Sequence, residues 1–118
     1  MNYAILVYET AADFAARTDP KQQQGYWAAW MCYSKAVKDA GIFAGGAGLQ
    51  PPETATTLRF QHEQRLVQDG PYADLKEQLA GFFLIDVPNL DVALEWAARC
   101  PRSASRVVEV RPVLPPMY

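Results

Sequence analysis

The chain has 118 residues, half of them hydrophobic, with 11 basic and 13 acidic side chains for a formal charge of −2. That is enough apolar material for one domain, residues 1–118, with a core that needs no disulfide or structural metal. The lack of a basic excess or basic run argues against a nucleic-acid partner. Cys32 and Cys100 lie in segments that read as helix, with no CxxC spacing and no neighbouring histidine. They therefore indicate neither a metal site nor a disulfide framework, and no cofactor is implied. The N-terminal stretch MNYAILVYET is too short for a signal peptide or a membrane span, so a cytoplasmic protein without a membrane partner is expected.

Residues 2–8 read as a strand whose two faces, Asn2, Ala4, Leu6, Tyr8 and Tyr3, Ile5, Val7, are both largely apolar. Thr10 and Asp13 have capping-box spacing for a short helix to about Arg17. Asp19-Pro20 predicts the start of a long helix to about Asp39, with Trp27, Trp30, Met31 and Val37 as its apolar stripe, Tyr26 and Tyr33 flanking it, and Gly41 as its stop. A strand over 42–49 contains the small-residue run FAGGAGL, which suits close approach of another backbone better than a phosphate loop. Thr56–Phe60 and Arg65–Gln68 predict a hairpin across Gln61-His62-Glu63-Gln64, with the single histidine, His62, at its exposed tip. Phe82–Ile85 is continuously apolar and reads as a central strand. Asp91–Arg99 reads as a second helix and Val107–Val113 as the last strand.

This order predicts an α+β fold, a ferredoxin-like two-layer sandwich with an antiparallel sheet and two main helices on one face. The strands at 2–8 and 82–85 are apolar on both sides. The uncovered sheet face is therefore expected to meet the same face of a second copy, giving a homodimer.

The stretch VQDGPYADLKEQLAGFFLID places several charges just before that central strand. Asp69 admits two readings. In one, Gly70 and Pro71 make a turn that Asp69 caps, and Lys76 and Glu77 are solvated. In the other, Asp69 is a carboxylate at the mouth of a cavity, where Lys76 or Arg59 binds a small anionic metabolite. Trp27 and Trp30 read as core, whereas Tyr26 and Tyr33 can serve as pocket donors.

Asp69-Gly70-Pro71-Tyr72, then Lys76-Glu77-Gln78-Leu79 and Gly81-Phe82, resembles the signature of the DGPF group of YCII-related proteins. The likeness extends to Gly48-Leu49-Gln50-Pro51-Pro52 and Ala55-Thr56-Thr57, and downstream to Val108-Glu109-Val110-Arg111-Pro112. Tyr72 stands where that group usually has phenylalanine. The resemblance implies a dimeric α+β barrel with a ligand pocket by the DGP bend, and Asp69 is the one site residue that carries over from it; taken with the reading of the residues, Asp69 is the expected catalytic residue and Lys76, Arg59, Tyr72 and Tyr33 are the expected ligand contacts. It also implies two kinds of function. Members of the YCII branch are enzyme-like, with a His and Asp pair, and one relative dehalogenates a chlorinated hydroxymuconate-type acid. Related domains also occur attached to sigma factors, which points to a ligand-sensing module. The long helix here offers Trp30, Met31 and Cys32 with no histidine, so the His-Asp mechanism does not carry over.

Overall fold

The structure is a computed structural model that describes residues 1–101, 103 and 106–116. Strand β1 (Asn2–Glu9) leads into helices α1 (Ala11–Ala16) and α2 (Gln23–Asp39), then strand β2 (Phe43–Gly48). A hairpin of β3 (Thr56–Gln61) and β4 (Gln64–Asp69) precedes β5 (Gln78–Asp86), α3 (Leu90–Ala98) and β6 (Val107–Pro112). Four strands form one sheet in the order β2-β5-β1-β6, antiparallel throughout, and β3 and β4 pair only with each other. This is a ferredoxin-like α+β fold with the hairpin inserted between its second and third sheet strands.

Strand β1 shows why the layers form. Tyr3, Ile5, Val7 and Glu9 are buried, whereas Ala4, Leu6 and Tyr8 are half-buried, so alternate residues face the helices and the other side of the sheet. The helix-facing set packs with Tyr33 and Val37 of α2, Ile85 of β5 and Ala93 of α3. Opposite the helices, Leu6 lies across from Phe82 and Ala4 across from Leu84, and the same row continues to Val107 beside Tyr8. That face is as apolar as the sequence implies, and among the described residues no helix covers it.

Local signals explain most boundaries. Thr10 and Asp13 close a reciprocal capping box on α1, and Asn89 caps α3 by accepting the Val92 N–H at 3.0 Å. The Asp19 carboxylate accepts from the Lys21 N–H and the Gln22 side chain, closing a turn over 19–22, so α2 starts at Gln23 rather than at the proline. The stripe of α2 also differs from expectation. Met31 is 71% exposed and Trp27 46%, while Tyr33 and Val37 are buried. The core-facing set is Trp30, Tyr33 and Val37, at the i, i+3, i+7 spacing of one helix face.

The glycine run serves close approach, as predicted. Gly46 has φ +154°, and a Cβ there would lie 2.6 Å from the Phe82 carbonyl oxygen; a Cβ on Gly81 would lie 2.8 Å from that of Ala47. Two side-chain-free positions thus let β2 and β5 pair tightly. The hairpin turns on His62 and Glu63, both at positive φ (50° and 64°), which satisfies the geometry of a two-residue turn without glycine or asparagine.

Candidate functional site: an apolar groove with a buried carboxylate at one end

Between α2 and the β2–β5 edge of the sheet lies a groove of about 1470 Å³. Trp27, Trp30 and Met31 of α2 form one wall, and Gly46, Ala47 and Gly48 of β2 with Phe83 of β5 form the floor. The shape follows from the sequence of β2. Residues with little or no side chain leave open the space that larger residues would fill, and Trp30 stacks on Phe83 at a ring separation of 6.2 Å to support the floor.

Lys35, Lys38 and Asp39 of α2 line one end of the groove, and a buried carboxylate lies at the other. Glu9 ends β1 on the helix-facing side and is fully buried. Its Oε1 accepts from Arg17 Nη2 at 3.1 Å, its Oε2 accepts from Arg106 Nη2 at 2.8 Å, and the Tyr26 hydroxyl sits 2.9 Å from each oxygen. Arg17 also donates from Nε to the Tyr26 oxygen at 3.0 Å and from its Nη atoms to the carbonyls of Leu49 and Ala80. Its guanidinium stacks 4.7 Å from the Phe14 ring, and Trp27 Nε1 donates to the Arg17 carbonyl at 3.1 Å. One arginine thus ties α1, α2, β1, β5 and the end of β2 around the carboxylate. A buried carboxylate is tolerated because it is multiply hydrogen-bonded and ion-paired.

Burial raises the pKa of Tyr26, and the charge of Glu9 and its hydrogen bond add to the rise, while Arg17 opposes it. The phenol is therefore protonated at neutral pH, and its proton is donated to the Glu9 carboxylate. Asp13 titrates the other way. Burial pushes its pKa up, but hydrogen bonds from the Thr10 N–H, Ser103 and the Thr10 hydroxyl, together with the charge of Arg106, hold it below the usual aspartate value.

The residues singled out in the sequence lie in different places. Lys76 lines the groove together with Pro71 and Leu75. Tyr72 lines a smaller neighbouring recess of about 420 Å³ and lies under the Arg59 guanidinium, 5.1 Å from ring centroid to Cζ. Asp69 is exposed at the end of β4 opposite Thr56. Tyr33 is buried in the core, donating to the Trp96 carbonyl at 2.8 Å, and burial pushes its pKa far up. The structure therefore groups Arg59 with Tyr72 at the bend, puts Lys76 on the groove and separates Tyr33 from both.

Sequence reading passed over Glu9, Arg17 and Arg106. A signal for Glu9 was present: it shares the parity of Tyr3, Ile5 and Val7, so strand alternation alone points it inward. Among the described residues, no group of three or more His, Cys, Asp or Glu side chains is placed to hold a metal ion. Among the described residues, no helix is long and apolar enough to cross a membrane.

The sheet order, the helical layer on one face and the groove beside the edge strand define a ferredoxin-like α+β protein with an internal ionic cluster. The chain belongs to the YCII-related domain family, whose sequence profile matches residues 1–116. It is 37% identical over 97 residues to an uncharacterised protein of Rhizobium meliloti (strain 1021), an alignment that covers 82% of this chain and 77% of that protein.

Proposed function

We propose that this YCII-related protein binds a small, acidic and largely apolar metabolite in the α2–β2 groove, as a homodimer with facing sheets, and acts on it as a lyase- or isomerase-like enzyme. The observation that carries the reading is the composition of the groove, which has mainly apolar walls, Glu9, Tyr26 and Arg17 at one end, and Lys35, Lys38 and Asp39 of α2 at the other. Ligand pockets are built in this way, with apolar walls for affinity and a few placed polar groups for orientation. The Tyr26 phenol is the proton donor, oriented by Glu9. Lys76, which enters no ion pair among the described residues, meets the ligand's anionic group at the rim.

Asp69 is the competing proton acceptor that the family resemblance suggests, with Arg59 and Tyr72 beside it at the bend. Native mass spectrometry of the protein purified from cells, followed by turnover assays of the retained compound, tests the proposal. Loss of turnover in Tyr26→Phe but not in Asp69→Asn assigns the chemistry to the groove end. The reverse result assigns it to the bend, and unchanged affinity in Lys76→Ala refutes the rim contact.

A ligand-sensing role without chemistry is favoured by one feature: Arg17 already spends most of its donors on protein acceptors, as an architectural residue does. Recovery of the bound compound unchanged after prolonged incubation would select that reading.

A further inference from the structure

The β3–β4 hairpin has no cover. Every residue of both strands except Thr57 is exposed. An isolated two-stranded hairpin is only marginally stable in water, so a hairpin held in this form needs a surface to pack on.

Its two faces are not equivalent. The register places Thr57, Arg59, Leu66 and Gln68 on one face, and Leu58, Phe60, Arg65 and Val67 on the other. The first face is tied to the base of the hairpin. The Thr57 hydroxyl donates to the Gly70 carbonyl at 2.7 Å, and Arg59 lies over Tyr72. The second face carries a row of Leu58 (49% exposed), Val67 (58%) and Phe60 (74%) with nothing against it.

The dimensions of the chain point to the occupant. The molecule measures 47 × 47 × 19 Å with a radius of gyration of 16.1 Å, where a compact chain of this length gives about 13.5 Å. Its accessible surface is 8378 Å², against about 6400 Å² for a folded monomer of this size. The excess of about 2000 Å² is more than the roughly 800 Å² that each partner buries in a standard stable interface. A surface surplus of that size, joined to an uncovered apolar row on a projecting hairpin, fits a chain whose folded unit includes another chain of the same shape.

We infer that the β3–β4 hairpin is an intersubunit arm whose Leu58–Phe60–Val67 face packs against a second copy of this chain. The inference rests on the homodimer and groove of the functional reading, and it adds a residue set and a consequence. The arm leaves the body through 49–55 and returns through 70–77, and Pro51, Pro52, Pro71, Leu75 and Lys76 in those connections line the groove. Seating the arm on the second copy therefore sets the rim of the groove, and the site takes its final form only in the dimer.

A photo-activated benzophenone amino acid at position 60 of the full chain, combined with sedimentation velocity on the wild type and on Phe60→Asp, tests this directly. The expected result is a covalent dimer whose cross-linked peptides come from two chains. A buried aspartate at such a contact is expected to weaken dimerisation about tenfold or more, with the far-UV circular dichroism of the body unchanged. Leu58→Ser supplies a milder variant should the aspartate protein misfold. Cross-links confined to one chain, a monomeric wild type, or a dimer as tight in both variants as in the wild type would overturn the arm. A monomeric wild type would overturn the homodimer of the functional reading as well, whereas cross-links confined to one chain or unweakened variants overturn the arm alone; none of these readouts involves a ligand, so a failed ligand search leaves the arm standing.

Discussion

The hydroxyl of Tyr26 lies 2.9 Å from both carboxylate oxygens of Glu9, joining the first turn of α2 to the last residue of β1. The contact closes a ring that also holds Arg17 and Arg106, and it places a fully buried charge at the end of an apolar groove.

Glu9→Gln keeps the size of the side chain and removes its charge, leaving the largely buried Arg17 without its ion-pair partner and Arg106 with only the more distant charge of Asp13. Breaking a buried ion pair from one side costs about 3–5 kcal/mol. Urea unfolding of the variant should show a loss of that order. A loss below about 1 kcal/mol would mean that the cluster is solvated and behaves as a surface pair.

Gly46→Ala places a Cβ 2.6 Å from the Phe82 carbonyl oxygen, at a φ of +154° that side chains rarely adopt. Backbone cannot give way as a flexible side chain does, so β2 must shift from β5. A destabilisation of about 2 kcal/mol or more is expected in thermal unfolding. Gly25→Ala is the control, since nothing lies within 4 Å of its added carbon.

Asp13 governs the acid side of the stability curve. Its folded-state pKa is depressed, so its contribution is present above the unfolded value of about 3.9 and disappears as pH falls through the lower folded value. Asp13→Asn should flatten stability against pH below about 4 and lower stability near neutrality. Thr10→Ala, which removes the other half of the capping box, should cost about 1 kcal/mol.

Tyr33 contributes on the alkaline side, alongside Tyr26 and Cys100, whose pKa values burial also raises. Burial raises the folded pKa of Tyr33 above that of the unfolded chain, so its contribution is complete below about pH 10 and is lost as pH rises from there towards the folded value. In Tyr33→Phe that alkaline decline should become shallower. At neutral pH the same variant should lose about 1 kcal/mol, because the hydroxyl's hydrogen bond to the Trp96 carbonyl is lost and that carbonyl keeps only the Arg99 N–H.

Much of this architecture is legible in the chain, and the particular elements show why. The capping box at Thr10 and Asp13, the alternation of Tyr3, Ile5 and Val7, and the unbroken run Phe82–Ile85 are local patterns set by one helical turn or one pleat. They determined where elements start and which faces turn inward, and the small residues at 44–48 determined that β2 must lie against another backbone. The parity of Glu9 was legible in the same terms. What it meets was not, because Arg17 is 8 residues away and Arg106 97.

The groove and its polar end came from tertiary structure alone. Tyr26 and Tyr33 stand on one helix and look alike in sequence, yet one reaches Glu9 at the groove and the other is sealed against Trp96 in the core. Helical periodicity assigns residues to faces, but the angle at which α2 crosses the sheet decides which face is core and which is groove wall. Likewise Asp69, Arg59 and Lys76 lie on one stretch of sequence, yet the hairpin carries Arg59 outward, Asp69 stays exposed at its base opposite Thr56, and Lys76 lies on the groove. By itself the sequence determined elements, caps and inward faces, because these depend on neighbours within a few residues. Only the folded chain decided which distant charges share a buried site, because that depends on how the layers pack.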